Sequence, residues 1–169
     1  MKTLILFRHG KSDWGDASLP DHERPLSRRG LKASRAMGRF LKRAGQLPDA
    51  AVTSSAVRAR ASLDGAFESG GWRCPVRGSE ALYESTPFKV LDEVRAEPDT
   101  TESLLVVGHE PTWSQLTCFL LGGGAFDVPT GCMIRIDFDV TTWKEVEPGG
   151  GKLVWFVPPR LFTEGDFEL

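Results

Sequence analysis

Short apolar runs alternate with longer amphipathic stretches along the chain up to residue 121. The runs have the length of strands that are buried on both faces of a sheet, and they cover residues 3–7, 50–53, 75–78 and 103–107. The stretches between them carry apolar residues at helical spacing, bounded by capping residues and glycine stops. They predict helices over residues 28–45, 56–69, 87–96 and 111–121, the third with Phe88, Leu91 and Val94 in register.

The pattern changes after the glycine triplet at residues 122–124. Two apolar segments, 132–138 and 152–157, are strand-like, and a turn signal at residues 148–151 precedes the second of them. We expect a hairpin, or a meander that includes residues 143–146, at the edge of the sheet. Strand–helix alternation followed by antiparallel strands predicts an α/β fold, a three-layer α/β/α sandwich with a mixed, mainly parallel sheet.

Length and charge narrow the classes of protein and partner. A chain of 169 residues predicts one domain over residues 1–169. The net charge of −2, from 21 basic and 23 acidic side chains, gives no reason to expect nucleic acid or an anionic membrane as a partner. Any binding of anions must then come from a local cluster of basic residues.

The cysteines and the first apolar run indicate a cytoplasmic protein. Cys74, Cys118 and Cys132 are odd in number and form no CxxC pair, so we expect buried free thiols in a reducing compartment. The run at residues 4–7 ends before Arg8 and is shorter than the apolar core of a secretory signal. The sequence has no apolar stretch of the length that a membrane-spanning helix needs.

Two of the three histidines follow predicted strands directly. His9 lies in Arg8-His9-Gly10 after the first strand, and His109 lies in Gly108-His109-Glu110 after the fourth. Ligands of open α/β sheets bind at the carboxyl ends of the strands, so we expect both histidines in one site. Arg58 and Arg60 follow the second strand about 200° apart on a helix, so at most one of them faces that site. Histidines and guanidinium forks together are typical of a receptor for phosphate.

Four motifs, in order, resemble the histidine phosphatase superfamily, whose fold is phosphoglycerate mutase-like. Residues 7–12 (FRHGKS) resemble its RHG signature, and residues 21–30 (DHERPLSRRG) resemble its D-x-x-R-P-L-[ST]-x-x-G element. Residues 54–62 are similar to S-x-x-x-R-A-x-Q-T, with Ala61 and Ser62 in place of Gln and Thr, and residues 106–111 (VVGHEP) match the second-histidine motif. The lysine of RHGKSDW and the short length look most like the SixA-type phosphohistidine phosphatase branch.

The resemblance implies a phosphatase that uses neither a metal nor another cofactor. His9 would attack phosphorus and form a phosphohistidine intermediate, which water then hydrolyses. Positive charge on Arg8 and Arg58 would keep His9 neutral and bind the phosphoryl oxygens, and the resemblance selects Arg58 over Arg60. The implied phosphate-binding residues are Arg8, Gly10, Arg58, His109 and Glu110.

The identity of the general acid and of the substrate stays open in the sequence. Glu84 lies where mutase-type relatives place a glutamate, and it is the candidate acid. Gly15 stands where many of those relatives have a phosphate-binding asparagine, which argues against sugar-phosphate mutase chemistry. Trp14, beside the first motif, is a candidate for the rim of the site, and the role of Arg24 there stays open.

We expect a phosphohistidine-bearing protein as substrate, because imidazole leaves more readily than an alkoxide and needs less acid catalysis. Only about 40 residues separate the Arg58 helix from His109, which leaves no room for a large cap over the site. The site should therefore be open, which also favours a protein as substrate. The alternatives are a phosphomonoesterase acting on a small phosphorylated molecule and a catalytically silent phospho-ligand-binding domain. A competing motif, D-x-D-x-[TV] at residues 137–141, is typical of Mg²⁺-dependent phosphatases with Asp137 as nucleophile.

Overall fold

A computed structural model describes residues 1–164 of the chain. Six strands form one sheet: β1 (Lys2–Arg8), β2 (Ala50–Ser54), β3 (Val76–Ser79), β4 (Ser103–Gly108), β5 (Met133–Phe138) and β6 (Gly151–Val157). Their order is β3-β2-β4-β1-β5-β6, with the first four parallel, β5 antiparallel to β1 and β6 antiparallel to β5. The predicted mixed, mainly parallel sheet with antiparallel strands at its C-terminal edge is confirmed.

The strand β1 has apolar side chains buried on both of its faces. Leu4 and Leu6 belong to one core cluster, and Ile5 and Phe7 belong to a second cluster on the opposite face. The first cluster includes residues of α3 (Pro87–Arg95) and α4 (Thr112–Leu121), and the second includes residues of α1 (Arg28–Arg43) and α2 (Val57–Gly70). The sheet is therefore the middle layer of an α/β/α sandwich, as predicted. A short helix, α5 (Arg160–Thr163), follows β6 and contacts α1.

The helices begin and end close to the predicted residues. The hydroxyl of Ser27 accepts a hydrogen bond from the Gly30 N–H at 3.1 Å and caps α1, and Gly71 ends α2 in the left-handed conformation. The residues that α3 buries differ from those predicted. Leu91 and Val94 are buried, but Phe88 is 65% exposed, because the buried stripe of α3 runs from Val90 instead.

The C-terminal strands form a hairpin and not a meander. Residues Trp143–Glu145 form a short 3-10 helix in the connection from β5 to β6. The carboxylate of Glu145 accepts hydrogen bonds from Thr141 and Thr142, which holds this turn outside the sheet. All three cysteines are free thiols, as expected, but only Cys132 is fully buried.

The parallel register brings three loops to one edge of the sheet. Arg8 of β1 lies beside Gly108 of β4, and Thr53 of β2 lies beside Val107 of β4. The segments that follow these strands therefore begin side by side, which places the residues after Arg8, Ser54 and Gly108 in one region. From α2 to β4, the chain forms β3, a 3-10 turn at Glu80–Leu82 and α3.

Candidate active site

The loop after β1 lies against the start of α1 through two glycines. A Cβ on Gly10 would lie 2.5 Å from the Gly30 carbonyl oxygen, and one on Gly30 would lie 2.3 Å from the Lys11 carbonyl oxygen. The N–H and the hydroxyl of Ser27 both donate to that same Lys11 oxygen at 2.9 Å. The RHG motif and the RPLSxxG motif are thus in direct contact, and this contact explains why both need glycine.

The main-chain N–H and carbonyl groups of Gly10 already have hydrogen-bond partners, and this changes the role expected for the residue. Its N–H donates to the hydroxyl of Ser62 at 2.9 Å, and its carbonyl oxygen lies 2.6 Å from Nδ1 of His9. Neither group is free to bind phosphate. We therefore assign Gly10 to positioning the His9 ring and not to direct phosphate binding.

His9 is buried, and its hydrogen bonds define which nitrogen reacts. Because the Gly10 carbonyl can only accept, Nδ1 of His9 carries the proton and Nε2 is the unprotonated nitrogen, which accepts a hydrogen bond from Arg58. Nε of Arg58 lies 3.3 Å from that Nε2. Burial, together with the positive charge of Arg58 and Arg8, lowers the pKa of His9 to about 4. His9 is therefore a neutral imidazole at physiological pH.

Arg58 is buried and held by Asp21. Its Nη1 donates to the Asp21 carbonyl oxygen at 2.5 Å, and its Nη2 donates to Oδ2 of the Asp21 carboxylate at 2.9 Å. Tyr83 donates its hydroxyl hydrogen to the same Oδ2 at 2.8 Å. Arg60, in contrast, is exposed and pairs with Asp64 one turn along α2. This separation of the two arginines agrees with the prediction that at most one of them faces the site.

His109 faces His9 across the site, with 4.9 Å between the ring centroids. Its Nε2 lies 2.7 Å from the hydroxyl of Ser54, which also accepts a hydrogen bond from the Ala56 N–H. Because a hydroxyl has one hydrogen and two lone pairs, Ser54 can donate to Nε2 of His109 and leave the proton of the imidazole on Nδ1. That Nδ1 is buried and has no hydrogen-bond partner within residues 1–164. Burial, with the charge of the neighbouring residues, lowers the pKa of His109 to about 3.

Arg8 is directed toward the loop before β5. Its Nη1 donates to the Val128 carbonyl oxygen at 2.5 Å, and its charge lies near Glu110 and Asp127. Burial lowers the pKa of Arg8, and its positive charge contributes to the lowered pKa of His9. Its Nε is buried and has no hydrogen-bond partner among the described residues.

The two predicted glutamates are placed differently. The carboxylate of Glu110 accepts a hydrogen bond from the Ser114 hydroxyl at 2.7 Å, in the first turns of α4. Glu84 is exposed, with a positive φ of 48°, and within residues 1–164 no hydrogen bond ties it to His9, Arg58 or His109. The structure therefore brings together His9, Arg58 and His109, and it does not draw Glu84 into that group.

Several site residues were missed in the sequence analysis. Asp21 begins the D-x-x-R-P-L element, and that position was the available signal. Tyr83 is the single tyrosine of the chain and lies edge-on to His109, with centroids 5.6 Å apart. The hydroxyl of Ser55 lies 2.9 Å from Nε2 of His22, whose ring packs against Tyr83.

Trp14, in the loop between the first two motifs, stacks on Arg24 of the second motif. The guanidinium of Arg24 lies 4.1 Å from the centroid of the Trp14 ring, and its Nη1 donates to the Asp16 carbonyl oxygen. Trp14 is 64% exposed, whereas Arg24 is buried. The pair stabilises the loop that carries Asp21.

Asp137, the nucleophile of the competing motif, lies at the other end of the sheet. It pairs in register with Thr3, near the start of β1, and its carboxylate accepts hydrogen bonds from Arg135 and from the Thr3 hydroxyl. Within residues 1–164, no group of three or more His, Cys, Asp or Glu side chains is arranged to hold a metal ion. This placement argues against Asp137 as the reacting group.

Comparison with known proteins defines the class. The model of the histidine phosphatase superfamily (branch 1) matches residues 4–86. The chain belongs to the histidine phosphatase superfamily, and it is a phosphatase of the SixA-like branch.

Particular relatives extend this likeness over most of the chain. An uncharacterized protein of Mycobacterium tuberculosis is 35% identical over 162 residues, which cover 90% of this chain and 99% of the relative. A solved structure from Nakamurella multipartitia, described as a candidate SixA phosphohistidine phosphatase, is 28% identical. The match has a TM-score of 0.77 and covers 93% and 96% of the two chains. The protein histidine phosphatase SixA complexed with tungstate shares the fold, with a TM-score of 0.80 at 22% identity, over 93% and 97% of the two chains.

None of the helices in the described part of the chain is long and apolar enough to cross a membrane.

The lowered pKa values of the two histidines predict a stability that depends on pH. Below the usual histidine pKa of about 6.5, the unfolded chain takes up protons that the folded chain binds only near pH 4. The free energy of unfolding should therefore fall as the pH falls from about 6.5 to about 4, by roughly 1–2 kcal/mol per histidine between pH 7 and pH 5. Urea unfolding at these two pH values measures the loss.

A His9→Ala variant separates this effect from the titration of the carboxylates. The variant lacks one buried imidazole whose pKa is lowered in the folded chain, so it should lose less stability between pH 7 and pH 5 than the wild type. Equal losses in the two proteins would contradict the pKa values described above.

The pKa of Tyr83 can be measured directly, because Tyr83 is the single tyrosine of the chain. This pKa depends on Asp21, whose carboxylate accepts the hydrogen bond of the tyrosine hydroxyl. Partial burial and the Asp21 carboxylate raise the pKa of Tyr83. Asp21→Asn removes the negative charge and should lower that pKa, which is measured by the absorbance of the tyrosinate during alkaline titration. The same change removes the ion pair of Arg58, so kcat/KM should fall by about 10-fold. An unchanged tyrosine titration would show that the hydrogen bond between Tyr83 and Asp21 is absent in solution.

Proposed function

We propose that this phosphatase hydrolyses phosphohistidine in a protein, with Nε2 of His9 as the nucleophile. The observation that carries the proposal is the arrangement around this atom. The hydrogen bond from Nδ1–H to the Gly10 carbonyl leaves Nε2 unprotonated, and buried Arg58 and His109 lie beside it. A neutral imidazole with cationic and N–H donors around it is suited to attack a phosphoryl group.

In the first step, Nε2 of His9 attacks phosphorus, and the bond between phosphorus and the leaving group breaks. Arg58 and the free Nε of Arg8 neutralise the phosphoryl oxygens as charge redistributes, and Nδ1–H of His109 donates to one of them. When the leaving group is the imidazole of a histidine, its other ring nitrogen takes a proton from water before the N–P bond breaks, and it departs as neutral imidazole. In the second step, water attacks the phosphorus of phospho-His9, the N–P bond breaks, and inorganic phosphate leaves.

The surroundings of Glu84 support phosphohistidine over an alkyl phosphate ester. An alkoxide leaving group needs a carboxylic acid positioned to protonate it. Glu84 is exposed, and no hydrogen bond within residues 1–164 joins it to His9, Arg58 or His109, so its role as a general acid stays a prediction. Imidazole leaves with less assistance, so the residues around His9 suffice for it.

The exposure of the site also supports a large substrate. The Asp21 carboxylate is 50% exposed and lies next to Arg58, whose side chain is 9% exposed. Buried Arg58 thus lies directly behind Asp21, which is exposed to solvent. A histidine on the surface of another protein could reach them without opening a lid.

A screen of substrates tests the proposal. A protein phosphorylated on histidine, an aryl phosphate and a sugar phosphate are each incubated with the enzyme, with and without EDTA. We expect kcat/KM to be highest for the phosphohistidine protein and unaffected by EDTA. Preference for the sugar phosphate would favour the small-molecule phosphomonoesterase instead. A requirement for Mg²⁺ would favour Asp137 as the nucleophile.

A further inference from the structure

The helix α1 concentrates the positive charge of a protein that is acidic elsewhere. Seven of its sixteen residues are basic and none is acidic, whereas the rest of the chain has 14 basic and 23 acidic side chains. Most of these basic residues are exposed or half-exposed, because the opposite face of α1 packs on the sheet and on α2. The function described so far uses none of them.

A groove connects this basic face to the loop that carries the nucleophile. It has a volume of about 300 Å³ and lies between the first half of α1 and the segment around α5. The charged residues in its lining are Lys11, Arg29, Lys32, Arg160 and Glu164.

The groove also reaches the main chain behind His9. Pro129 and Thr130 line it, and the N–H of the next residue, Gly131, donates to the carbonyl oxygens of Arg8 and His9 at 3.1 and 3.0 Å. Lys11 itself follows His9 by two residues. A molecule seated in the groove would therefore lie next to the main chain of the loop that carries His9.

The basic face continues along the helix beyond the groove. A second, shallower depression is lined by Arg28, Leu31, Lys32, Arg35 and Arg39. Lys32 belongs to both depressions, so the two form one surface along the outer side of α1. We call this surface the α1 basic face.

Carboxylates already bind two arginines of the α1 basic face. Arg29 pairs with Glu164 at 3.2 Å, and Arg35 pairs with Glu68 at 2.9 Å. These side chains are 43–77% exposed, and ion pairs of this kind contribute little to stability. The carboxylates of another protein can replace or join those of Glu164 and Glu68 at small cost.

From these observations we infer that the α1 basic face is a docking surface for an acidic face of the phosphoprotein substrate. The inference rests on the proposed function, and it adds how the enzyme recognises the protein around the phosphohistidine. Complementary charge speeds the encounter and orients the partner, and the position of the groove would direct its histidine toward His9.

Two phosphopeptides and a pair of charge-reversal variants test this inference. In one peptide the histidine is flanked by glutamates and in the other by glutamines, and both are phosphorylated chemically with phosphoramidate. We expect the wild type to hydrolyse the glutamate peptide with a kcat/KM about 10-fold higher at low ionic strength, and this preference should fall at high salt. The double variant Lys32→Glu/Arg35→Glu should lose the preference and still hydrolyse an aryl phosphate normally.

The control variant changes the net charge by the same amount at the opposite end of the sheet. Lys144 and Lys152 are exposed, and Lys152 pairs in register with Asp137, far from His9. Lys144→Glu/Lys152→Glu should therefore keep the preference for the glutamate peptide. A preference that survives in the α1 variant, or disappears equally in the control, would overturn the docking surface and leave the proposed function standing.

A binding measurement keeps the two proposals separate. The unphosphorylated glutamate peptide, labelled with a fluorophore, should bind the wild type and not the α1 variant, as measured by anisotropy. If neither phosphopeptide is hydrolysed and this binding persists, the proposed function fails and the docking surface stands. If vesicles with anionic lipid bind the α1 basic face and the glutamate peptide does not, a membrane surface replaces the protein partner and the inference is wrong.

Discussion

His9→Ala should abolish turnover, with a loss in kcat of about 10⁴-fold or more. The atom that forms the covalent intermediate is removed, and the neighbouring imidazole of His109 has its Nε2 directed at the buried Ser54 hydroxyl, 2.7 Å away. Acid quenching after incubation with a labelled phosphohistidine substrate should trap no acid-labile label on the variant. The wild type should carry that label on His9.

A second variant distinguishes loss of the nucleophile from loss of the fold. His109→Ala keeps Nε2 of His9 and its hydrogen bond to Gly10. It should therefore still form the labelled intermediate, more slowly than the wild type. Both variants should unfold cooperatively at pH 7. Turnover by folded His9→Ala at the rate of the wild type would show that the mechanism proposed here is wrong.

Arg58→Ala should lower kcat/KM by about 100- to 1,000-fold, the usual effect of removing one charged donor from a phosphoryl-transfer site. Arg58 is the cation beside Nε2 of His9, and its removal also leaves Asp21 without its ion pair. Arg58→Lys should recover little of the lost activity, because an ammonium group cannot hold Asp21 and a phosphoryl oxygen with the geometry of a guanidinium fork.

Arg60→Ala is the matched control for this prediction. Arg60 lies two residues along the same helix, is exposed, and pairs with Asp64. Its removal changes the charge by the same amount and should leave kcat/KM within about 2-fold of the wild type, since exposed ion pairs contribute little. Equal losses in the two variants would mean that general electrostatics, and not the contact of Arg58, supports the reaction.

The sequence was sufficient to predict which strands carry the site. Parallel strands end at one edge of a sheet, so the positions of His9 and His109 after two apolar runs placed them together. The angular spacing of residues on a helix was likewise enough to separate Arg58 from Arg60. These predictions depend on periodicity and local order, which a single sequence displays.

The contacts that orient these residues depend on long-range packing and could not be predicted. Asp21 lies in a loop without periodicity, and only the folded chain shows that it holds Arg58 and Tyr83. The position of Gly10 beside the nucleophile suggests phosphate binding. Glycine is needed there, however, because the main chain of Gly30 leaves no room for a Cβ. The direction of the Arg8 side chain is fixed by the Val128 carbonyl oxygen, 120 residues away.

The loop between the first two motifs is closed at its base. Hydrogen bonds from Ser27 to Lys11 and from Asp13 to Pro25, with the bridge between Ser12 and Leu26, close the loop at its stem. Residues between these points can differ in length or composition without moving the peptide that holds the nucleophile. The segment from residue 14 to residue 20 is thus an exchangeable part: it can be redesigned for a different partner while the reaction centre is kept, provided that the carbonyl and carboxylate of Asp21 still bind Arg58.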